Sequence, residues 1–288
     1  MLLKSVEYVR PDSVAEAIDI LRSNVGAAPL AGGQSLTNVL KHRVASVDLL
    51  VDISALAELR SITRTAEGMI EIGSCVTYDE IDHSREVRAG HNIVARVASH
   101  IEDQQIRNRG TIGGNCCLSD PTNNLPPLLV ALDATMNVRS AGGTRQVAAE
   151  DFFKGYFLTA LEPGELLTSI TIPPLLSGVG AGYVSVAVAP NSKAIVRAAV
   201  RVEVKGVIVE ARVVLARVAS VPIRHKGMED ALRGASPTAE SVRAAATAIG
   251  SDVDPIADSH GTSQYRREMA RVVARRAVLE AIAEGGGK

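Results

Sequence analysis

Two short glycine-rich segments constrain this chain more than any other feature. They are Leu30-Ala31-Gly32-Gly33-Gln34-Ser35-Leu36 and Gly110-Thr111-Ile112-Gly113-Gly114-Asn115. The first follows an apolar run, Ala27 to Ala31, and is followed by Val39 and Leu40, which read as the start of a helix. Without Cβ atoms at Gly32 and Gly33 the backbone can approach another group closely. Gln34, Ser35 and the amides after them can donate hydrogen bonds, and a helix starting near Thr37 would point its positive end at the same place. The second segment has the same ingredients. One Gly-Gly pair between a strand and a helix is usually no more than a tight turn. Two of them, both carrying hydroxyl and amide side chains, suit a split cradle for a pyrophosphate. Neither has the spaced glycines of the dinucleotide fold or the lysine of a P-loop.

Composition narrows what such a cradle can hold. Lys and Arg total 31 against 32 Asp and Glu, so the basic excess of a nucleic-acid binder is missing. There is no Trp, and only three Phe and five Tyr. A large flat ligand must therefore be held mostly by backbone and aliphatic groups. Cys75, Cys116 and Cys117 are too few for the four thiolates of an iron–sulfur cluster and form no disulfide framework. The six histidines show no metal-ligand spacing, so no metal site is expected. Asp120, Asp133 and Asp151 do not pair as acid and base, and no nucleophile elbow is present. A cradle without catalytic residues is the profile of a cofactor carrier. The opening MLLKSVEYVR has no signal-peptide core, and no apolar run approaches the roughly 18 residues of a membrane span, which predicts a cytoplasmic protein.

Periodicity predicts an α+β chain. Ser13 and Glu16 form a capping box ahead of Val14, Ala17, Ile18 and Leu21. Strands are expected at Asp48–Ile53, Met69–Ile72 and Thr168–Ile172, and helices at Ile81–Asp103 and Pro126–Leu132. A hairpin turns at Gly142-Gly143 and another at Lys205-Gly206. Ser177–Gly182 reads as a linker. Helices close the chain near Lys226–Leu232, Pro237–Ile249 and Gln264–Ile282. In the last, Tyr265, Met269, Val272, Val273 and Leu279 share a face, and Arg267, Arg271 and Arg275 make a basic stripe expected to be solvated.

Leu30–Leu36 together with Gln105–Asn115 (QIRNRGTIGGN) resembles the FAD-binding medium subunit of the molybdenum hydroxylases. That family includes xanthine dehydrogenase, carbon monoxide dehydrogenase and the N-heteroaromatic hydroxylases. Tyr8–Pro11, Leu50–Ile53, Asp120-Pro121, Leu132–Ala134, Pro163–Leu167, Ile172-Pro173, Ala231–Gly234 and Tyr265-Arg266 extend the resemblance over nearly the whole chain. It implies an FAD domain at 1–176, made of two α/β subdomains at about 1–56 and 57–176. A smaller C-terminal domain of antiparallel sheet and helices would follow at 177–288. Carried over by position, Ala31, Gly32, Gly33, Gln34, Ser35 and Leu36 would wrap the pyrophosphate. Thr111, Gly114 and Asn115 would hold its other side. Ile101 would pack near the adenine or flavin, and Leu167 near the isoalloxazine.

The resemblance also implies partners: a small iron–sulfur subunit and a large subunit with the molybdenum cofactor, in a dimer of heterotrimers. Substrate, leaning to an N-heteroaromatic, would be hydroxylated at molybdenum. Electrons would reach FAD through the clusters and leave for an external acceptor. Two positions depart from the family. Asn124 stands where Asp is common, and Tyr183–Ala189 (YVSVAVA) has no cation, with Ser185 in a place often held by Lys. Losing that cation is expected to lower the flavin potential. The alternatives are a stand-alone FAD oxidoreductase with its own substrate site, and a non-catalytic nucleotide-binding protein.

Overall fold

The computed structural model describes residues 3–189 and 192–286. Met1 and Leu2 of the opening segment and Gly287 of the glycine tail lie outside them. Among the described residues, three sheets of three or more strands follow one another, with one two-stranded hairpin besides.

The first is parallel, in the order β1-β3-β2, from Glu7–Val9 (β1), Ala27–Leu30 (β2) and Leu49–Asp52 (β3). Parallel neighbours need crossovers, supplied by α1 (Val14–Ser23) and α2 (Leu36–Lys41). Ser13 caps α1 by accepting from the Glu16 amide at 3.1 Å. The expected capping box is only half made. The Glu16 carboxylate takes the amide of Asp12, one residue early.

The second sheet is antiparallel, in the order β4-β5-β10-β6-β7. Its strands are Ile62–Arg64 (β4), Ile70–Gly73 (β5), Thr135–Ser140 (β6), Gly143–Ala148 (β7) and Leu166–Ile172 (β10). Between β7 and β10 lie the short helix α8 (Ala149–Phe152) and a hairpin of β8 (Phe153–Gly155) and β9 (Leu158–Thr159). The helices of this layer are α3 (Tyr78–His83), α4 (Arg85–Ser99), α5 (Gln104–Arg107), α6 (Ile112–Leu118) and α7 (Leu125–Ala131). The single helix expected over Ile81–Asp103 is thus divided. Its apolar period runs on, but Thr77, Ser84 and Asp103 each turn a side-chain oxygen onto an amide three residues ahead and start a new helix. Within α4 the backbone also leaves helical geometry at His91.

The third sheet is antiparallel, in the order β11-β12-β13-β14, from Val179–Ala187, Ala194–Lys205, Val207–Ala216 and Ile223–Arg224. It is followed by α9 (Lys226–Leu232), α10 (Ala239–Ala245) and α11 (Ser263–Gly286). Ser177–Gly182 is not a linker, because β11 begins inside it. A Cβ on Gly180 would stand 1.9 Å from the Ala281 carbonyl oxygen, and one on Gly182 2.0 Å from that of Ala277. These glycines let α11 lie directly on the strand. The buried face of α11 accordingly carries Ala270, Val273, Ala274, Ala277, Val278 and Ala281, while Tyr265 is 44% exposed. Of the face expected from hydrophobicity, only Val273 is fully buried. Close approach favours small residues over large apolar ones.

The sheet is covered on both sides. Val200, Val202, Val213 and Leu215 face the α11 core. Ala181, Ala199 and Val214 belong to the core of the second layer, which contains α7.

Candidate functional site

The two glycine turns touch. A Cβ on Gly32 would stand 2.0 Å from the Arg109 carbonyl oxygen and 3.0 Å from Gly110 Cα. Only a residue without a side chain lets the turn after β2 rest on the backbone ahead of α6. Gly33 has φ +70°, and its carbonyl accepts both the amide and the hydroxyl of Thr37, at 3.0 and 2.5 Å. Gln34 Nε2 donates to Gly32 O at 3.2 Å. Ser35 sits at the start of α2 without capping it. Among the described residues, the amides of Gly33, Gln34, Ser35 and Leu36 have no acceptor. Four adjacent free donors at the surface suit an anion.

The second turn is built differently. The amides of Ile112 and Gly113 donate to Val76 and Ser74 carbonyls at 3.0 and 2.9 Å, and that of Asn115 to Thr111 O at 3.0 Å. Thr111 Oγ1 takes the Gly114 amide at 3.1 Å. Its amides therefore hold α6 against the loop before α3, and what it offers a ligand is side chains. Asn115 Nδ2 donates to Tyr78 Oη at 3.0 Å, while its Oδ1 is buried without a partner. The sequence shows two similar motifs; their different hydrogen bonding comes from the neighbouring backbone.

A cleft of about 300 Å³ lies between the turns, lined by Ala31, Gly32 and Thr111 together with Thr77, the arginines Arg60 and Arg109, and the carboxylates Asp79 and Glu80. Arg60 is bonded to Glu80. Arg109, which sequence reasoning did not single out, has no carboxylate partner among the described residues. Cys75 also reaches the cleft, but burial pushes its thiol up to about 11, so it stays protonated and unreactive.

A second cavity, of about 380 Å³, lies between β11, β12 and the Asp120–Asn124 loop. Asn124 and Ser185 line it. Tyr183 Oη donates to Asn124 O at 3.0 Å, and burial pushes its phenol up to about 12. Arg197 Nη1 donates to Thr122 O and Asn123 O at 3.0 and 2.5 Å, and its Cζ stands 5.9 Å from the Tyr183 ring centroid. Asn123 Nδ2 in turn donates to Asn115 O at 2.6 Å. A hydrogen-bonded path thus runs from the second cavity to the second glycine turn. Strand β11 lacks a cation, as read, but Ser185 pairs directly with Arg197 across the ladder. The cavity is not without positive charge, and nothing in the local pattern around Arg197 signalled this.

Ile101 and Leu167 line neither cavity. Each is 3% exposed in the second-layer core, Ile101 just beyond α4 and Leu167 on β10 opposite Val138.

Comparison with known proteins places the chain in a family. Residues 4–175 match the family described as FAD binding domain in molybdopterin dehydrogenase, and residues 185–281 the CO dehydrogenase flavoprotein C-terminal domain. The glyceraldehyde dehydrogenase medium chain of Sulfolobus acidocaldarius is 36% identical over 95% of this chain and 97% of its own. The structure of carbon monoxide dehydrogenase from Oligotropha carboxidovorans superposes with a TM-score of 0.94 at 35% identity, covering 99% of this chain and 100% of that one. Quinoline 2-oxidoreductase from Pseudomonas putida 86 gives 0.93 at 31% identity, covering 98% and 99%. The chain belongs to the family of FAD-binding subunits of molybdenum hydroxylases, which are oxidoreductases.

The residues present fit an FAD. Its pyrophosphate needs hydrogen-bond donors, which the unpartnered amides of Gly33–Leu36 would supply, and the buried Asn115 Oδ1 has no donor among the described residues.

Proposed function

We propose that this chain is the FAD-carrying electron-transfer subunit of a molybdenum-containing hydroxylase or dehydrogenase complex. One observation carries the reading: Gly32 rests the first turn on Arg109-Gly110 at the edge of the cleft, and the four amides that follow it have no acceptor among the described residues. In this reading Ala31–Leu36 bind the pyrophosphate, and Thr111, Gly114 and Asn115 close its far side. Asn124 borders the ring, with Ile101 and Leu167 as the apolar wall behind. Residues 1–176 carry the cofactor and 177–288 cover it. The bound FAD supplies the redox chemistry by accepting electrons singly and releasing them in pairs. The chain's residues bind it, orient it and set its electrostatics.

The donors would be iron–sulfur clusters of a small subunit, fed by a molybdenum cofactor in a large one, in a cytoplasmic dimer of heterotrimers. An N-heteroaromatic substrate rests on the sequence resemblance. The glyceraldehyde, carbon monoxide and quinoline enzymes align along comparable lengths, which is what a subunit that never touches the substrate would show.

Copurification of the tagged chain with both partners, and a visible flavin spectrum in the chain itself, are the expected results. Gly33→Asp puts a side chain and a negative charge at the pyrophosphate and should abolish FAD binding; stoichiometric FAD in that variant would refute the site. Full turnover of an organic substrate by the flavin-loaded chain alone would favour the stand-alone oxidoreductase.

A further inference from the structure

Arg197 is 3% exposed and borders the second cavity, yet among the described residues it has no carboxylate partner. Its Nη1 holds the carbonyls of Thr122 and Asn123, its Nε is buried without an acceptor, and its Nη2 makes no bond to the protein. The other arginine and lysine of this cavity are compensated. Arg96 is bonded to Glu280, and Lys193 stands 3.7 Å from Asp120. Carbonyl dipoles soften the desolvation of a buried guanidinium but do not cancel its charge. Such a cation is stabilised when a negative charge joins it.

Position says which charge. Ser185 and Arg197 are direct partners in the β11–β12 ladder. Residues paired in this way project to the same face, so Arg197 occupies the face that a basic side chain at 185 would use. Both line the same cavity, together with Asn124.

We propose that Arg197 is the flavin-facing cation of this subunit, and that it stabilises the anion formed when bound FAD is reduced. The proposal rests on the FAD-binding reading above. In the reaction, iron–sulfur donors are oxidised by one electron each. Two electrons and one proton from solvent convert the neutral oxidised ring into a reduced ring with one negative charge. Arg197 opposes that charge across the cavity, so reduction becomes more favourable. The sequence expectation of a lowered potential is thereby reversed.

The holoprotein as isolated gives the first test. If the reduced ring is held as the anion, two electrons enter with one proton, and the midpoint potential falls by about 30 mV per pH unit on the acid side of neutrality. A slope of about 59 mV, two protons for two electrons, overturns the proposal. The second test compares Arg197→Met, Arg197→Lys and Ser185→Lys/Arg197→Met, each with its FAD content measured separately. His100 and Glu102, which also line the cavity, are untouched in all three. Arg197→Met should bind reduced FAD at least tenfold worse relative to oxidised FAD, a potential lower by about 30 mV or more. Lysine at 197, or at 185 in the double variant, should restore it. If Arg197→Met weakens both forms equally, the potential does not move; the guanidinium then serves the phosphates or the loop, and the proposal fails. If that variant retains no flavin, the pH slope of the unmodified protein decides. A chain without any flavin spectrum would instead remove the underlying FAD reading.

Discussion

Gly32 shows how one missing atom sets a site. Its hydrogen in place of Cβ is what brings the first glycine turn onto the Arg109 carbonyl. Gly32→Ala should push the turns apart, cost about 1–3 kcal/mol of stability, and weaken FAD binding in the same variant. Gly142→Ala is the control, since the nearest atom there is 3.7 Å away. Equal denaturation midpoints and equal FAD content for the two variants would show that the contact is unimportant. Gly32 was legible because glycine pairs announce unusual backbone. Arg109 and Arg197 were not. A cation acquires meaning from the lack of a carboxylate within ion-pair reach, and that is decided by residues remote in sequence.

At the level of elements, the third sheet reads well as strands and poorly as surfaces. The Lys205-Gly206 hairpin is present as expected, with β12 and β13 pairing on either side of it and the register shifting between Glu203 and Val204. The seat of α11 was not foreseen, because a hydrophobic period marks the apolar side and not the side a sheet can approach closely. Gly182 makes the difference testable. Gly182→Ala places a methyl 2.0 Å from the Ala277 carbonyl and should lower the urea midpoint by the equivalent of about 1–3 kcal/mol; an unchanged midpoint would mean that α11 does not sit on β11 in this way. The basic stripe was expected to be solvated. Instead Arg267 and Arg271 donate to the carbonyls of Val253 and Ile249, at 3.2 and 2.5 Å, and clip the preceding segment to the helix.

For the molecule as a whole, charge holds the segment before α11 to the start of β12. Asp258 accepts from Arg217 at 2.6 Å and from Arg266, and those arginines also bind the carbonyls of Ala194 and Ile195. Partial burial opposes ionisation of Asp258. The His260 amide and the two guanidiniums outweigh it and hold the carboxyl well below the usual carboxylate range. A pKa lower in the folded state than in the unfolded one contributes stability that is complete above the unfolded value, near 4, and is lost as pH falls toward the folded value. With the side chain 36% exposed, its contribution is about 1 kcal/mol. Asp258→Asn should therefore lower Tm by a constant amount from neutral pH down to about 5, and the gap should close in more acid solution. A gap that persists unchanged into strong acid would assign the effect to packing.

By itself the sequence determined the element types, the glycine turns and the family resemblance. These depend on neighbours along the chain: caps, periodicity, and the need for glycine where backbone must be bare. Among the described residues, no helix is long and apolar enough to cross a membrane. Only the tertiary structure decided which turn keeps free amides, which face of α11 is buried, and that an arginine across a ladder faces the cavity beside Ser185. Each is a relation between groups brought together by folding, so its physical content, a shared hydrogen bond or an uncompensated charge, does not exist until the distant backbone arrives.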